Sequence, residues 1–328
     1  MDGDGDTDLV VANGRHWPQQ NMLFLNQGRS RFNVARPLGM DQCTSYACEL
    51  ADLDGDGDLD IAVGNDNAPC LIFLNDGHAH FRRHCDFAPP ASVRSLTTAD
   101  IDGDGDIDLL TTCRGAPNRI YYNDGKALFG RTTSFGASND STIDVAVADL
   151  NEDGTNDLIL ANRDSQPNTI LLGTGNGRFQ AGHGFGDPKT SSRAVATADF
   201  DGDGHTDWVV GNIESQNKIF FGNGKGGVIR EVSVGDSASR TYCVAVADLN
   251  NDQLVDVLFG NVAGTNSVFF NTAGSTKFTE QTFGNPDSST YGLCIGDFTG
   301  DGFADVATAN SSQQNTIYIN QPVRKKTL

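Results

Sequence analysis

The stretch Asp52-Leu53-Asp54-Gly55-Asp56-Gly57-Asp58-Leu59-Asp60 returns in close variants along the whole chain of 328 residues. Its leading aspartate falls at Asp52, Asp100, Asp149, Asp199, Asp248 and Asp297, a period of about 49 residues; a further copy at the start keeps Asp2, Asp4, Asp6 and Asp8. A repeat of that length restricts the chain to architectures in which one supersecondary unit recurs. The carboxylates in each copy repel one another at neutral pH, and the glycines between them offer no apolar contact in return. A cation among them is expected. Oxygen ligands at loop positions 1, 3 and 5, followed by a glycine turn, suit a hard cation, calcium foremost. The shortage of sulfur and imidazole there argues against zinc or copper.

Within each period the apolar residues form four short runs and no helical pattern. In one copy these are 144–148 before the loop, 157–162 after it, 168–173, and a weaker run at Phe179 behind the turn 174–177. Short β-branched runs bounded by Asn, Gly, Asp and Ser read as strands. Four strands per repeat, seven times over, predict an all-β fold: one seven-bladed β-propeller over residues 1–328, with four-stranded antiparallel blades and the acidic loop between the first two strands of each. An EF-hand would need Glu at loop position 12, where Val63 stands, and flanking helices. WD and kelch signatures are missing. The strand count comes to 26, short of a full ring by the first strand of the first blade and the last strand of the seventh, as expected of a fragment of a larger protein.

The net charge of −20 is concentrated in loops that contain no Lys or Arg. No basic stripe with interleaved aromatics marks a nucleic-acid partner, and no apolar run is long enough for a membrane span. Seven cysteines cannot all pair within the chain; one or two disulfides and buried free thiols both fit their spacing. The chain opens at Met1 inside an acidic loop, so no signal peptide is there to be read.

Asp-Leu-Asp-Gly-Asp-Gly-Asp-Leu-Asp-Ile-Ala-Val-Gly-Asn over 52–65, followed by Leu71-Ile72-Phe73-Leu74-Asn75-Asp76-Gly77 and Phe81, resembles the FG-GAP or VCBS repeat of integrin α-type propellers. The resemblance implies calcium held by side chains at loop positions 1, 3, 5 and 9 and by the backbone carbonyl at 7. Asp52, Asp54, Asp56, Asp58 and Asp60 make a complete set, as do Asp100, Asp102, Asp104, Asp106 and Asp108, and Asp199, Asp201, Asp203, His205 and Asp207. The fourth loop has Asp149, Asn151, Asp153, Thr155 and Asp157. In the sixth (Asp248, Asn250, Asp252, Leu254, Asp256), Gln253 replaces the turn glycine. The seventh has Asp297, Thr299, Asp301, Phe303 and Asp305. These three should bind more weakly, and the first loop, Asp2, Asp4, Asp6 and Asp8, lacks its leading ligand.

The resemblance also places the calcium loops on a lower face and the second-to-third connections on an upper one. Tyr46, Arg94, Ile143, Arg193, Tyr242 and Tyr291, six residues before each loop, should ring the upper mouth of the central channel. Arg15, His16, Trp17, Asp66, Arg114, Arg163, Asp164 and Glu214 should stand in the upper connections. Trp17, Tyr46, Arg94, Arg193, Tyr242 and Tyr291 are the candidate ligand contacts. With the clustered carboxylates committed to metal and no nucleophile motif present, the chain reads as a non-catalytic, calcium-binding, integrin α-like recognition or adhesion module. It would be extracellular or on the cell surface, a monomeric domain binding a protein or glycan on its upper face. A lectin, or the propeller of a polysaccharide-acting enzyme, stands as the alternative. Chelation should lower the thermal midpoint substantially; a melting curve unchanged in excess EDTA would refute structural calcium.

Overall fold

Second strands such as Asp60–Asn65 and Asp157–Asn162 are buried along their whole length. A strand that is apolar on both sides must sit inside a sheet that is itself covered on both faces. The computed structural model describes residues 1–272 and 277–321. Its 26 described strands form seven antiparallel sheets, and no helix occurs among the described residues. Five sheets have four strands in sequence order. The first (Leu9–Val11, Gln19–Leu25, Val34–Cys43) and the last (Thr290–Gly296, Asp305–Asn310, Thr316–Tyr318) have three. The chain is a seven-bladed β-propeller, and the basic tail, 322–328, lies outside the described residues.

Apolar side chains of adjacent blades meet face to face. Leu110, Ile120 and Tyr122 of the third blade pack on Val145, Leu158 and Leu160 of the fourth. Trp208 and Phe220 of the fifth pack on Ile159, Ile170 and Phe185 of the fourth. Such clusters fill six of the seven junctions. Between the seventh blade and the first no such cluster forms among the described residues; the contacts there include an edge-on pair, Phe32 and Phe298 at 5.9 Å, and two hydrogen bonds to the Phe298 carbonyl from Ser30 N–H and Asn26 Nδ2.

A second set of joints is polar. Asn217 Nδ2 donates to Thr241 Oγ1 of the next blade at 2.9 Å, and Thr241 passes its own proton to Asn261 Oδ1, also at 2.9 Å. The same relay runs Asn21, Ser45, Asn65 and again Asn266, Thr290, Asn310. Each hydroxyl sits between two amides, so the buried polar atoms are satisfied and blade spacing is fixed by directional bonds. All seven cysteines are free.

First strands of successive blades lie side by side around the axis and line the channel. Their alternate residues are mostly Ala, Gly, Ser, Thr and Cys, which keeps the bore narrow without strain. Two carboxylates interrupt the series. Burial, then the facing Asp144, pushes Glu49 up to about 7; burial pushes Asp144 up to about 6, even though Val145 and Val195 N–H groups bond its two oxygens at 3.0 Å. Cys48, packed between the first two blades, and Cys243 are both pushed to about 12 by burial and are neutral thiols.

Two outcomes follow from this packing. Thr241→Val should lower unfolding free energy by about 1–3 kcal/mol, because it strands both Asn217 and Asn261, whereas Thr241→Ser should cost far less; equal losses in urea denaturation would refute the relay. For Glu49 the folded pKa lies above the ordinary glutamate value, so stability is full below about 4.5 and is lost as pH rises through 7. At about 1.4 kcal/mol per pKa unit, discounted for water in the channel, Glu49→Gln should gain about 2 kcal/mol at pH 8 and little at pH 4.5. A pH-independent difference between the two proteins would contradict this.

Candidate functional site

The acidic loops close the lower end of each blade. In the second, Asp52 accepts N–H bonds from Gly55 and Gly57 at 2.8 and 3.0 Å, and Asp56 accepts one from Asp58 at 2.9 Å. Gly55 and Gly57 take φ of 79° and 93°, a conformation open to glycine and strained for other residues. Asp60 is buried, bonded by Leu53 N–H at 3.0 Å and by Asn75 N–H, from the end of the third strand, at 2.9 Å. Asp8, Asp108, Asp157, Asp207, Asp256 and Asp305 take the corresponding place in the other loops, each bonded by a backbone N–H at or just past the end of its third strand. Position 9 is therefore a structural brace as well as a metal-ligand candidate, a role that ligand spacing alone does not reveal.

Carboxylate oxygens converge within ion-binding distance in three loops: Asp52, Asp54 and Asp60; Asp100, Asp102 and Asp108; and Asp199, Asp201 and Asp203. These are the three loops with complete ligand sets. Asp54 Oδ1 and Asp102 Oδ1 are buried without a hydrogen-bond partner, which fits an all-oxygen cation site. The third and fifth loops also carry an internal cation that sequence reading did not find. Arg131, lying 3.6 Å over Tyr122, bonds Asp102 at 2.7 Å, and Arg230, 3.5 Å over Phe221, bonds Asp201. No Lys or Arg pairs with Asp54 among the described residues. Loop 2 is thus the site with most to gain from an external ion. In loops 4 and 6 the Asn amides donate to Asp153 at 2.9 Å and Asp252 at 3.0 Å, and Gln253 takes φ 70°. In loop 7 Thr299 turns its hydroxyl to Asp297 at 3.3 Å.

At the upper end the six residues preceding the loops share one backbone feature. In every first strand the register shifts at that position: Ser45 pairs with Asn65 and Ala47 with Gly64, so Tyr46 is skipped. Arg94, Ile143, Arg193, Tyr242 and Tyr291 are skipped in the same way. A bulge frees a side chain from the alternation of its strand and re-aims it. Here five of the re-aimed side chains gather around Arg15, directly or through a neighbour. Arg15 lies 4.0 Å over Tyr291, 4.8 Å over Tyr46 and 5.5 Å over Tyr242; Arg94 lies 4.7 Å over Tyr46 and Arg193 4.1 Å over Tyr242.

Arg15 arrives there because the first blade departs from the repeat. The amide that closes the upper connection reaches five residues ahead in the third, fifth, sixth and seventh blades and six in the fourth, but eight in the first, from Asn13 to Asn21. The added length carries His16, Trp17 and Pro18. Gly14 turns it with φ 100°, where a Cβ would stand 2.4 Å from the Cys43 carbonyl. His16 meets Tyr291 edge-on at 5.6 Å, and Trp17 is 75% exposed, while Trp208 is fully buried. Arg15, His16, Trp17 and Tyr291 line a cleft of about 220 Å³ between the first and seventh blades. Of the predicted ligand contacts, Tyr46, Arg94, Arg193, Tyr242 and Tyr291 are in the cluster and Trp17 stands at its edge. The extra length of the 14–18 connection was the signal that could have picked out Arg15 as the centre.

Solved structures share this fold at low identity. BBS1N, solved in complex with ARL6DN, superposes with a TM-score of 0.67 at 13% identity, over 100% of this chain and 91% of that one. A lectin from Agrocybe aegerita, solved for its recognition of non-reducing terminal N-acetylglucosamine, gives 0.64 at 20% identity, over 93% and 84%. Raptor from Chaetomium thermophilum gives 0.56 at 13%, over 83% and 23%. No curated protein matches. The FG-GAP-like repeat matches six overlapping segments, 1–63, 52–111, 100–160, 149–210, 199–259 and 248–308. Repeat, blade and loop coincide along the chain, which belongs to the FG-GAP-like repeat family.

Proposed function

We propose that this propeller is a non-catalytic, calcium-stabilised recognition module, extracellular or cell-surface, that binds its ligand at the upper mouth of the channel. One observation carries the reading. Six bulges at one repeat position, and the one lengthened connection, bring aromatic and cationic side chains to a single spot on an otherwise regular scaffold. Loops and strand ends held by a rigid frame are where binding residues concentrate, and an exposed Trp beside Arg and Tyr is the composition of a binding hot spot.

Calcium in this reading is structural. Asp52, Asp54, Asp56 and Asp60 would hold it in loop 2, with corresponding residues in loops 3 and 5. The ion would offset the carboxylate repulsion and fix the first hairpin of the blade, at the end of the molecule opposite to the ligand. Millimolar extracellular calcium would also fill the weaker loops. Adhesion to a protein and binding of a glycan are both compatible with such a face. The exposed Trp17 at a one-ring cleft favours the glycan, and the fold likeness to a lectin is consistent with it.

The test is a panel of glycans and matrix proteins offered to the calcium-loaded chain. At least one should bind saturably, and Trp17→Ala should weaken that binding by about tenfold or more without moving the thermal midpoint. Binding that survives Trp17→Ala and Tyr291→Ala unchanged would refute the upper face. Turnover of a polysaccharide by this chain alone would refute the non-catalytic reading.

A further inference from the structure

The upper-face arginines divide into two sets. Those on the outside have carboxylate partners: Arg94 with Asp66 at 3.3 Å, Arg114 with Asp164 at 2.8 Å, Arg240 with Glu214 at 3.2 Å. The inner pair, Arg15 and Arg193, has no ion pair and no hydrogen bond among the described residues. Arg193 is only 8% exposed, and its Nε is buried without a partner. Burial, and then the charge of Arg15, lowers Arg193 to about 10. Burial likewise lowers Arg15, against the pull of the three tyrosines. Asp144, the channel carboxylate that acts on Arg193, gives both its oxygens to backbone N–H groups.

Tyrosine faces hold these guanidiniums in place but do not neutralise them. Two partly desolvated like charges with no carboxylate bonded to either are unfavourable, and a guanidinium keeps its charge under any physiological condition. The five donors of each are directed and unused, a ready receptor for a carboxylate. Arg15 opens on the cleft between the first and seventh blades, with Trp17 on one side and Asn13, Ser312 and Asn315 around it. An exposed indole beside amides and a hydroxyl accepts the C–H face of a sugar ring and its hydroxyls together. The cleft volume, about 220 Å³, admits one such ring.

We infer that the cleft binds an acidic sugar, its carboxylate on Arg15 with Arg193 supplying a second positive charge, and its ring against Trp17. The inference rests on the recognition reading above and specifies its ligand. An acidic side chain of a protein would satisfy the arginines but would leave the indole and amides without a partner.

The chain has two tryptophans and Trp208 is fully buried, so a ligand-induced change in emission reports on Trp17. The calcium-loaded protein is titrated at constant ionic strength with glucuronate, glucose and the acetylated amide of aspartate. Glucuronate should give a saturable change, and glucose and the aspartate derivative should bind much more weakly. Arg15→Gln and Arg193→Gln should each weaken glucuronate by about tenfold or more, with thermal midpoints unchanged or raised because an unpaired charge has gone. Glucose binding as tightly as glucuronate, or variants that bind glucuronate like the parent, would overturn the inference and leave the recognition reading standing. An aspartate derivative that outcompetes glucuronate would also overturn it, in favour of an acidic peptide. No saturable response to any of the three overturns it too, and the glycan and matrix-protein panel then decides the recognition reading separately.

Discussion

A buried aspartate at the ninth position of each loop is the contact on which the blades depend. One carboxylate oxygen of Asp108 takes the N–H of Ile101 within the loop at 3.1 Å, and the other takes the N–H of Asn123 beyond the third strand at 2.9 Å. Three strand ends are thereby held by one side chain. The Asn123 amide continues to the Leu53 carbonyl of the preceding blade at 2.8 Å, so the same point joins blade to blade. Asn75, Asn271 and Asn320 make the equivalent reach, and Gly173 and Gly222 stand in that place in the fourth and fifth blades. The brace has a cost. Burial pushes Asp108, Asp207 and Asp256 up to about 6 despite two N–H bonds each, and neighbouring loop carboxylates push the same way. A divalent ion beside such a group reverses both effects. The brace and the proposed calcium site thus share one residue: the aspartate orders the loop, and a bound ion would relieve the aspartate.

How far the sequence could be read follows from which contacts repeat. The period, the strand count and the three loops in which carboxylates converge were legible because each blade needs the same turn, the same buried second strand and the same brace. The polar relay through Ser45, Thr241 and Thr290 repeats just as faithfully, yet single Ser, Thr and Asn residues at strand ends look like ordinary turn punctuation until the blades are side by side. Arg131 and Arg230 were hidden for a different reason. They lie about 29 residues from Asp102 and Asp201 and reach them across the blade, so a loop that looked free of positive charge is not.

The upper face was half legible. Counting six residues back from each loop found five of the side chains that gather around Arg15, because they occupy one repeat position. The bulge that makes them converge leaves no mark in the sequence, since Tyr, Arg and Ile at that site would pair normally in a regular strand. Arg15 could be placed on an upper connection but not at its centre. That needed the three-dimensional consequence of a longer loop: positive φ falls at Gly14, whereas the following position carries it in other blades, at Asn67, Asp164, Glu214, Ala263 and Ser312.

The two ends of the molecule therefore solve opposite electrostatic problems. At the lower end carboxylates crowd together, and what they lack is a cation; Arg131 and Arg230 supply part of one. At the upper end guanidiniums crowd together on tyrosine faces, and what Arg15 and Arg193 lack is an anion. In both places the protein supplies rigidity and leaves charge uncompensated, which is stable only because the frame is held elsewhere, by six apolar junctions and by directed polar bonds. Where the lower imbalance recurs in blade after blade, the proposed calcium would answer it and serve structure. Where the upper imbalance occurs once, at the junction with the fewest apolar contacts and the longest connection, the proposed ligand would answer it, and the asymmetry of the ring would set its specificity.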